Sequence, residues 1–156
     1  MTQKYSATST NENSAKAYGV ALPISRKQSV EICRMLRQKK LQVAKKMLQE
    51  VINFERAVPY KRYTMDIPHR KGIAAGKYPI NASKNILQLL ESVEANAQVN
   101  GLNTNLLVIS HINAHGAAKQ RRFGRVRGSK KRTHIEVIVE ERKEQKKEEK
   151  KLRRND

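Results

Sequence analysis

Apolar residues recur along this chain with two different periods, and the contrast predicts most of its architecture. In three stretches the spacing is helical. From Arg26 to about Lys39, Val30, Cys33 and Leu36 recur beside Ile32 and Met35, with Ser25 placed to cap the start. A second helix follows at once, with Leu41, Ala44, Leu48, Val51 and Ile52 on one face and Lys45, Lys46, Gln49 and Glu50 on the other. The third, from about Ala82 to Val99, carries the cleanest stripe: Ala82, Ile86, Leu89, Leu90, Val93 and Ala97, with Gly101 placed to end it. A period of two appears only late. Ile135, Val137 and Val139 alternate with His134, Glu136 and Glu140, as in a half-buried strand, and Leu106 to Ala114 is a less regular apolar run that can lead out to it. Residues 106–140 therefore read as a long β-hairpin.

What interrupts these patterns is basic. Lys119 to Arg132 holds eight Lys or Arg in fourteen positions, and no Asp or Glu lies between His111 and His134. Clustered cations repel, so an ordered hairpin of this composition calls for a polyanion beside it; a disordered basic loop is the alternative. Residues 55–80, punctuated by Pro59, Pro68, Gly72, Gly76 and Pro79, interleave Arg56, Lys61, Arg62, Arg70, Lys71 and Lys77 with Tyr60, Tyr63, Tyr78 and His69. Such a mixture stacks on unpaired bases and neutralises phosphates, and it also suits a floppy loop with its tyrosines tucked on the core. Residues 1–20 show neither period and read as disordered when alone, with Lys4, Tyr5, Lys16 and Tyr18 available to RNA. Ala21 to Ile24 reads as a short extended entry to the first helix. The chain divides into an extended RNA-contacting segment (1–20), one domain (21–141) holding the loop and hairpin, and a charged extension (142–156) able to form a solvated helix.

Charge narrows the choice of partner. Lys and Arg outnumber Asp and Glu by 33 to 14, giving +19, and the excess is spread over loop and hairpin. Nucleic acid fits this better than a membrane, because the surplus cations gather in the loop and hairpin and not on a basic amphipathic helix. One cysteine allows no internal disulfide, and Cys33 falls on a helical core position; a reducing, intracellular compartment is expected. No P-loop, GxSxG or CxxC motif occurs. His111 and His115 would stand roughly 13 Å apart on a strand, at about 3.3 Å per residue, with no acidic partner near them in sequence. Neither an enzyme nor a metal or other cofactor is expected, and no small-molecule substrate.

Four blocks together carry a resemblance: Tyr5 to Asn11, Glu55-Arg-Ala-Val-Pro-Tyr-Lys-Arg62, Glu94 to Gln98 with Gly101-Leu102, and Ser110-His-Ile112 through Lys119-Gln-Arg-Arg122 to His134-Ile-Glu136. On these the chain resembles the large-subunit ribosomal protein family numbered twenty-two in bacteria and seventeen in eukaryotes, in its eukaryotic and archaeal branch. The resemblance implies an α+β fold with three helices packed on a small antiparallel sheet, a projecting β-hairpin and extended termini. It implies a structural role in the large subunit in the cytoplasm, with ribosomal RNA, neighbouring ribosomal proteins and the nascent polypeptide as partners, and a hairpin lining the polypeptide exit tunnel. Lys119, Gln120, Arg121 and Arg122 match the family's basic outgoing arm, and Arg125-Val126-Arg127-Gly128 matches its tip. The expected RNA contacts are Lys61, Arg62, His69, Arg70, Lys71, Lys77, Lys119, Gln120, Arg121, Arg122, Arg125, Lys130, Lys131 and Arg132. Val126 replaces the family's usual alanine and the return from Gly128 is short, which leaves the tip register open, with Arg127 the choice to meet the nascent chain. A free-standing regulator or chaperone of structured RNA is the other reading of the same basic surfaces.

Overall fold

The computed structural model describes residues 5–7 and 13–142; Lys4 and the charged extension from residue 143 onward lie outside them. Three helices, α1 (Arg26–Leu36), α2 (Leu41–Ile52) and α3 (Ile80–Val99), cover one face of an antiparallel sheet. The sheet joins β1 (Ser14–Leu22), β8 (Thr133–Glu141) and β5 (Leu107–Gly116) in the order β1-β8-β5. This is the α+β architecture expected. Every residue of the α3 stripe from Ala82 to Ala97 is buried, as are Leu41, Ala44, Leu48 and Val51 of α2. Burial of Cys33 in α1 pushes its thiol up to about 12, so it stays protonated.

Between Ser14 and Val20 the expectation of an aperiodic tail does not hold. Ser14–Leu22 is a strand on the edge of the sheet, paired with β8 from Ser14↔Glu140 to Gly19↔Ile135. Its alternation is real but is written in small residues, Ala15, Ala17 and Gly19, which contribute little to an apolar signal. At Gly19 the packing is close: a Cβ there would come 2.8 Å from a methyl of Leu22 in the same strand and 3.5 Å, an ordinary contact, from one of Leu89 in α3. Asn96 and Asn100 of α3 donate side-chain hydrogen bonds to the carbonyls of Lys16 (2.9 Å) and Ser14 (3.4 Å), covering an edge that would otherwise offer itself to another strand. The strand ends in a bulge at Ala21, whose φ is 48°, and Pro23 falls outside the ladder.

Residues 55–80 are not a structureless connection. They fold into a second small sheet, ordered β2-β4-β3, from Val58–Pro59 (β2), His69–Arg70 (β3) and Ile73–Lys77 (β4). An acid holds this subdomain to the helices. Glu31 of α1, only 1% exposed, accepts hydrogen bonds from the amides of Lys61 (3.2 Å), Arg62 (2.9 Å) and Tyr63 (2.9 Å). Tyr60 tucks into the core beside it, where burial and then the Glu31 charge push its hydroxyl up to about 12. Glu31→Gln keeps one acceptor and loses the charge; it is expected to cost about 1–2 kcal/mol in urea denaturation, with faster amide exchange at residues 61–63.

Candidate nucleic-acid interface

The hairpin follows from strand physics. β5 and β8 pair from Leu107↔Glu141 to Gly116↔Thr133, the Ala117 amide adds a bond to the Arg132 carbonyl (3.2 Å), and a small ladder of β6 (Gln120–Arg121) and β7 (Ser129–Lys130) continues outward. Gln120 faces Lys130 and Arg121 faces Ser129, and the Arg122 amide closes the tip onto the Gly128 carbonyl at 2.9 Å. Every residue from Ala118 to Lys131 is exposed, so this part of the hairpin buries nothing of its own. Phe123 and Val126 stand in solvent among Arg121, Arg122, Arg125 and Arg127.

The base of the hairpin meets the start of α1 in a cleft of about 530 Å³. Arg26 and Lys27 enter from the helix, and Lys119, Lys131 and Arg132 from the two arms. Among the described residues no carboxylate lines it, and the Ser25 side chain makes no capping bond at the helix start. Two basic residues in a first turn oppose the helix dipole, an arrangement that an anion relieves. A second cleft of about 490 Å³ beside it is lined by Pro23, Arg122, Ser129, Lys130, Lys131 and Arg132. Arg132 differs from its neighbours: it is half-buried and donates to the Ala21 carbonyl at 3.2 Å, so it also fixes the end of β1.

The other predicted contacts, Lys61, Arg62, His69, Arg70, Lys71 and Lys77, are exposed on the second sheet and its loops, apart from the hairpin cleft. Their aromatic neighbours are already paired with cations: Arg62 lies 5.4 Å and Lys27 5.9 Å from the Tyr63 ring centre, and Arg70 lies 5.4 Å from that of Tyr78. Arg26 and Lys27 carry no mark in the sequence, since nothing in a helix start reveals that a segment ninety residues later will fold beside it. The only local signal is the basic first turn.

On the outer face of the large sheet the fold revises the reading of the histidines. Spacing along one strand puts His111 and His115 too far apart to meet, with no acid near. Pairing with β8 sets Glu136 opposite Asn113, midway between them, and both imidazole Nε2 atoms reach one of its carboxylate oxygens, at 2.8 and 3.0 Å. The Ser6 hydroxyl bonds that same oxygen and the Ser6 amide reaches the other at 2.9 Å. Glu136, expected on the solvent side, is 1% exposed, so β8 is covered on both faces at this point. Burial alone would raise its pKa, but the Ser6 hydroxyl, His111, the Ser6 amide and His115 outweigh it and hold the carboxyl at about 2. Tyr5 stacks edge-on against Tyr18 at 5.8 Å, and Tyr18 lies 5.6 Å from the His134 ring, so the described piece of the N-terminal segment is laid across the sheet.

The fold is thus a helix-backed sheet that projects a cationic hairpin and gathers basic side chains into clefts at its root. The comparisons with known proteins name its family. Residues 17–140 match the family Ribosomal protein L22p/L17e, and the chain belongs to that family. It is similar to the large ribosomal subunit protein uL22 of Nanoarchaeum equitans, 47% identical over 142 residues, covering 85% of this chain and 81% of the relative. The uL22 proteins of Archaeoglobus fulgidus (40% over 137 residues, 82% of this chain and 88% of the relative) and Methanococcus maripaludis strain C5 (41% over 147 residues, 88% and 96%) are similar over comparable lengths. The chain is thus a ribosomal protein, a structural rather than a catalytic component. Among the described residues, no helix is long and apolar enough to cross a membrane.

Proposed function

We propose that this protein is a structural constituent of the large ribosomal subunit in the cytoplasm, binding ribosomal RNA through its hairpin and second sheet and lining the polypeptide exit tunnel with the hairpin tip. The observation that carries the RNA reading is the cleft at the hairpin root, where five cations from two distant parts of the chain converge with no carboxylate among the described lining residues. Without an anion those charges only repel. With successive phosphates of an RNA strand along the cleft they become the point where the hairpin arms and α1 are locked to that strand. Lys61, Arg62, His69, Arg70, Lys71 and Lys77 contact RNA from the second sheet; Lys119, Gln120, Arg121, Arg122, Arg125, Lys130, Lys131 and Arg132 do so from the hairpin. At the tip, residues Arg125 to Gly128 face the nascent chain, with Phe123 and Val126 supplying its apolar surface. Neighbouring large-subunit proteins complete the surroundings.

Substituting alanine at Arg26, Lys27, Lys119 and Lys131 together tests this, with Arg132 kept because it also fixes β1. Binding of the full chain to large-subunit RNA fragments is expected to weaken, and the slope of log affinity against log salt to fall by about 3, near 0.7–0.9 for each phosphate no longer neutralised. An unchanged slope would place the phosphate-binding cations elsewhere. Equal affinity of the unaltered chain for unrelated structured RNAs would favour the free-standing regulator.

A further inference from the structure

A further cleft on the described surface lies away from the hairpin. It has a volume of about 780 Å³, lies where the end of α2 meets the second sheet, and is lined by Met35, Met47, Pro59, Tyr78, Arg70 and Lys71 among others. That volume is within the range of small-ligand clefts, about 300–1,000 Å³. Met35 and Met47 are adaptable apolar surface, partly buried against the core.

Beside the cleft is a residue that folding alone does not account for. Helices α2 and α3 end in the same motif. In α3 the Gly101 amide bonds the Gln98 carbonyl and the Leu102 amide bonds that of Ala97; in α2 the Phe54 amide bonds Val51 and the Glu55 amide bonds Glu50. The motif needs a left-handed residue, and glycine is the usual choice. Gly101 fills it at φ 72°, but Phe54 fills it at φ 65°. A bulky aromatic is an outlier in that region, and this one gains no burial in return, since it is 61% exposed. Its ring is 5.4 Å from that of Tyr78, tilted by 53°, and Arg70 sits 5.4 Å from the Tyr78 ring centre.

We propose that one unpaired nucleotide of the bound RNA seats at the edge of this cleft, its base on the exposed ring of Phe54 beside Tyr78 and its phosphate on Arg70 and Lys71. Aromatic planes and cations in alternation recognise unstacked bases. Glu50 and Glu55 also line the cleft and repel an acidic peptide and a phosphate alike; Glu50 is engaged by Arg56 at 2.5 Å, which leaves Arg70 and Lys71 as the phosphate's partners. Glu55 offers a carboxylate acceptor to the N–H groups of a base edge. The inference rests on the RNA-binding reading and adds to it a specific site.

The test uses the full chain and two RNA stems of equal length, one fully paired and one carrying a single bulged 2-aminopurine, followed by anisotropy and by 2-aminopurine fluorescence. The bulged stem is expected to bind about tenfold more tightly, within the range that one base–aromatic stack supplies, with a change in 2-aminopurine emission. Phe54→Ala should reduce its affinity to that of the paired stem and leave the paired stem unchanged. Phe54→Gly should do the same while melting no lower than the unaltered protein, because glycine suits the left-handed position, and that excludes misfolding as the cause. Tight, salt-sensitive binding of both stems with no preference for the bulge overturns the nucleotide site and leaves RNA binding standing. Failure to bind either stem removes the RNA reading and the site with it. A labelled oligoglutamate peptide that binds more tightly than the bulged stem, and loses affinity in Phe54→Gly, assigns the cleft to a peptide and overturns the proposal.

Discussion

Glu136→Ala is expected to destabilise the folded protein by about 3–5 kcal/mol at neutral pH, a large share of what a domain this size has in reserve. The change removes one buried carboxylate and strands its four donors, two from Ser6 and one each from His111 and His115. Glu136→Gln keeps the shape and loses the charge, and should fall between. The pH dependence gives an independent measure. With its carboxyl held at about 2 in the folded state against 4.5 as the ordinary value, Glu136 contributes about 3 kcal/mol at neutral pH. The folded pKa is the lower one, so the contribution is complete above about pH 4.5 and is lost as pH falls through about 2. Denaturant melts of the unaltered protein and Glu136→Gln, taken at about pH 7, 4 and 2.5, should show a gap that narrows across that window. A gap that persists at the acid end means the carboxylate's hydrogen bonds are not its source. Replacing Ser6 with alanine should reproduce only part of the loss, since the Ser6 amide and both histidines remain.

This cluster marks where sequence reading stops. The three helices were legible because each has a long stripe of large apolar residues, and the return strand because Ile135, Val137 and Val139 are large and strictly alternating. β1 was not, although it alternates as strictly, because its buried positions Ala15, Ala17 and Gly19 are small and add little to an apolar signal. Glu31 and Glu136 look like surface acids in one dimension; the former sits on a helix face that meets a loop thirty residues away, and the latter acquires its partners only through strand register. Charge behaved in the opposite way. Because exposed cations need no packing partner, the basic hairpin was visible at once as a run, while the cleft at its root needed Arg26 and Lys27 to be carried there by the fold. The same holds for the second sheet, whose cations were plain and whose cleft, with Phe54 at its edge, depends on how α2 ends.

The hairpin allows stability and placement to be separated. Deleting Arg121 to Lys130 joins Gln120 to Lys131, and the Ala117–Arg132 hydrogen bond is then closed by a four-residue connection, a common hairpin length. Nothing buried is removed, because every deleted side chain is exposed, so the stability of the isolated protein should change by less than about 0.5 kcal/mol. The cleft residues Arg26, Lys27, Lys119, Lys131 and Arg132 all survive the deletion. Large subunits made with the shortened protein should therefore retain it through a high-salt wash. Their tunnel wall should be altered where Arg125 to Gly128 would face the nascent chain, a change visible in a structure of the washed subunit. Loss of a folded, shortened protein during that wash would mean that the five cations removed with the tip, Arg121, Arg122, Arg125, Arg127 and Lys130, anchor the chain more strongly than the cleft does. The quadruple substitution at the root should then cost little by comparison. Under the present reading the order is reversed: the root holds the protein on the RNA, and the tip, which stabilises nothing in the fold, is free to be shaped by what passes along it.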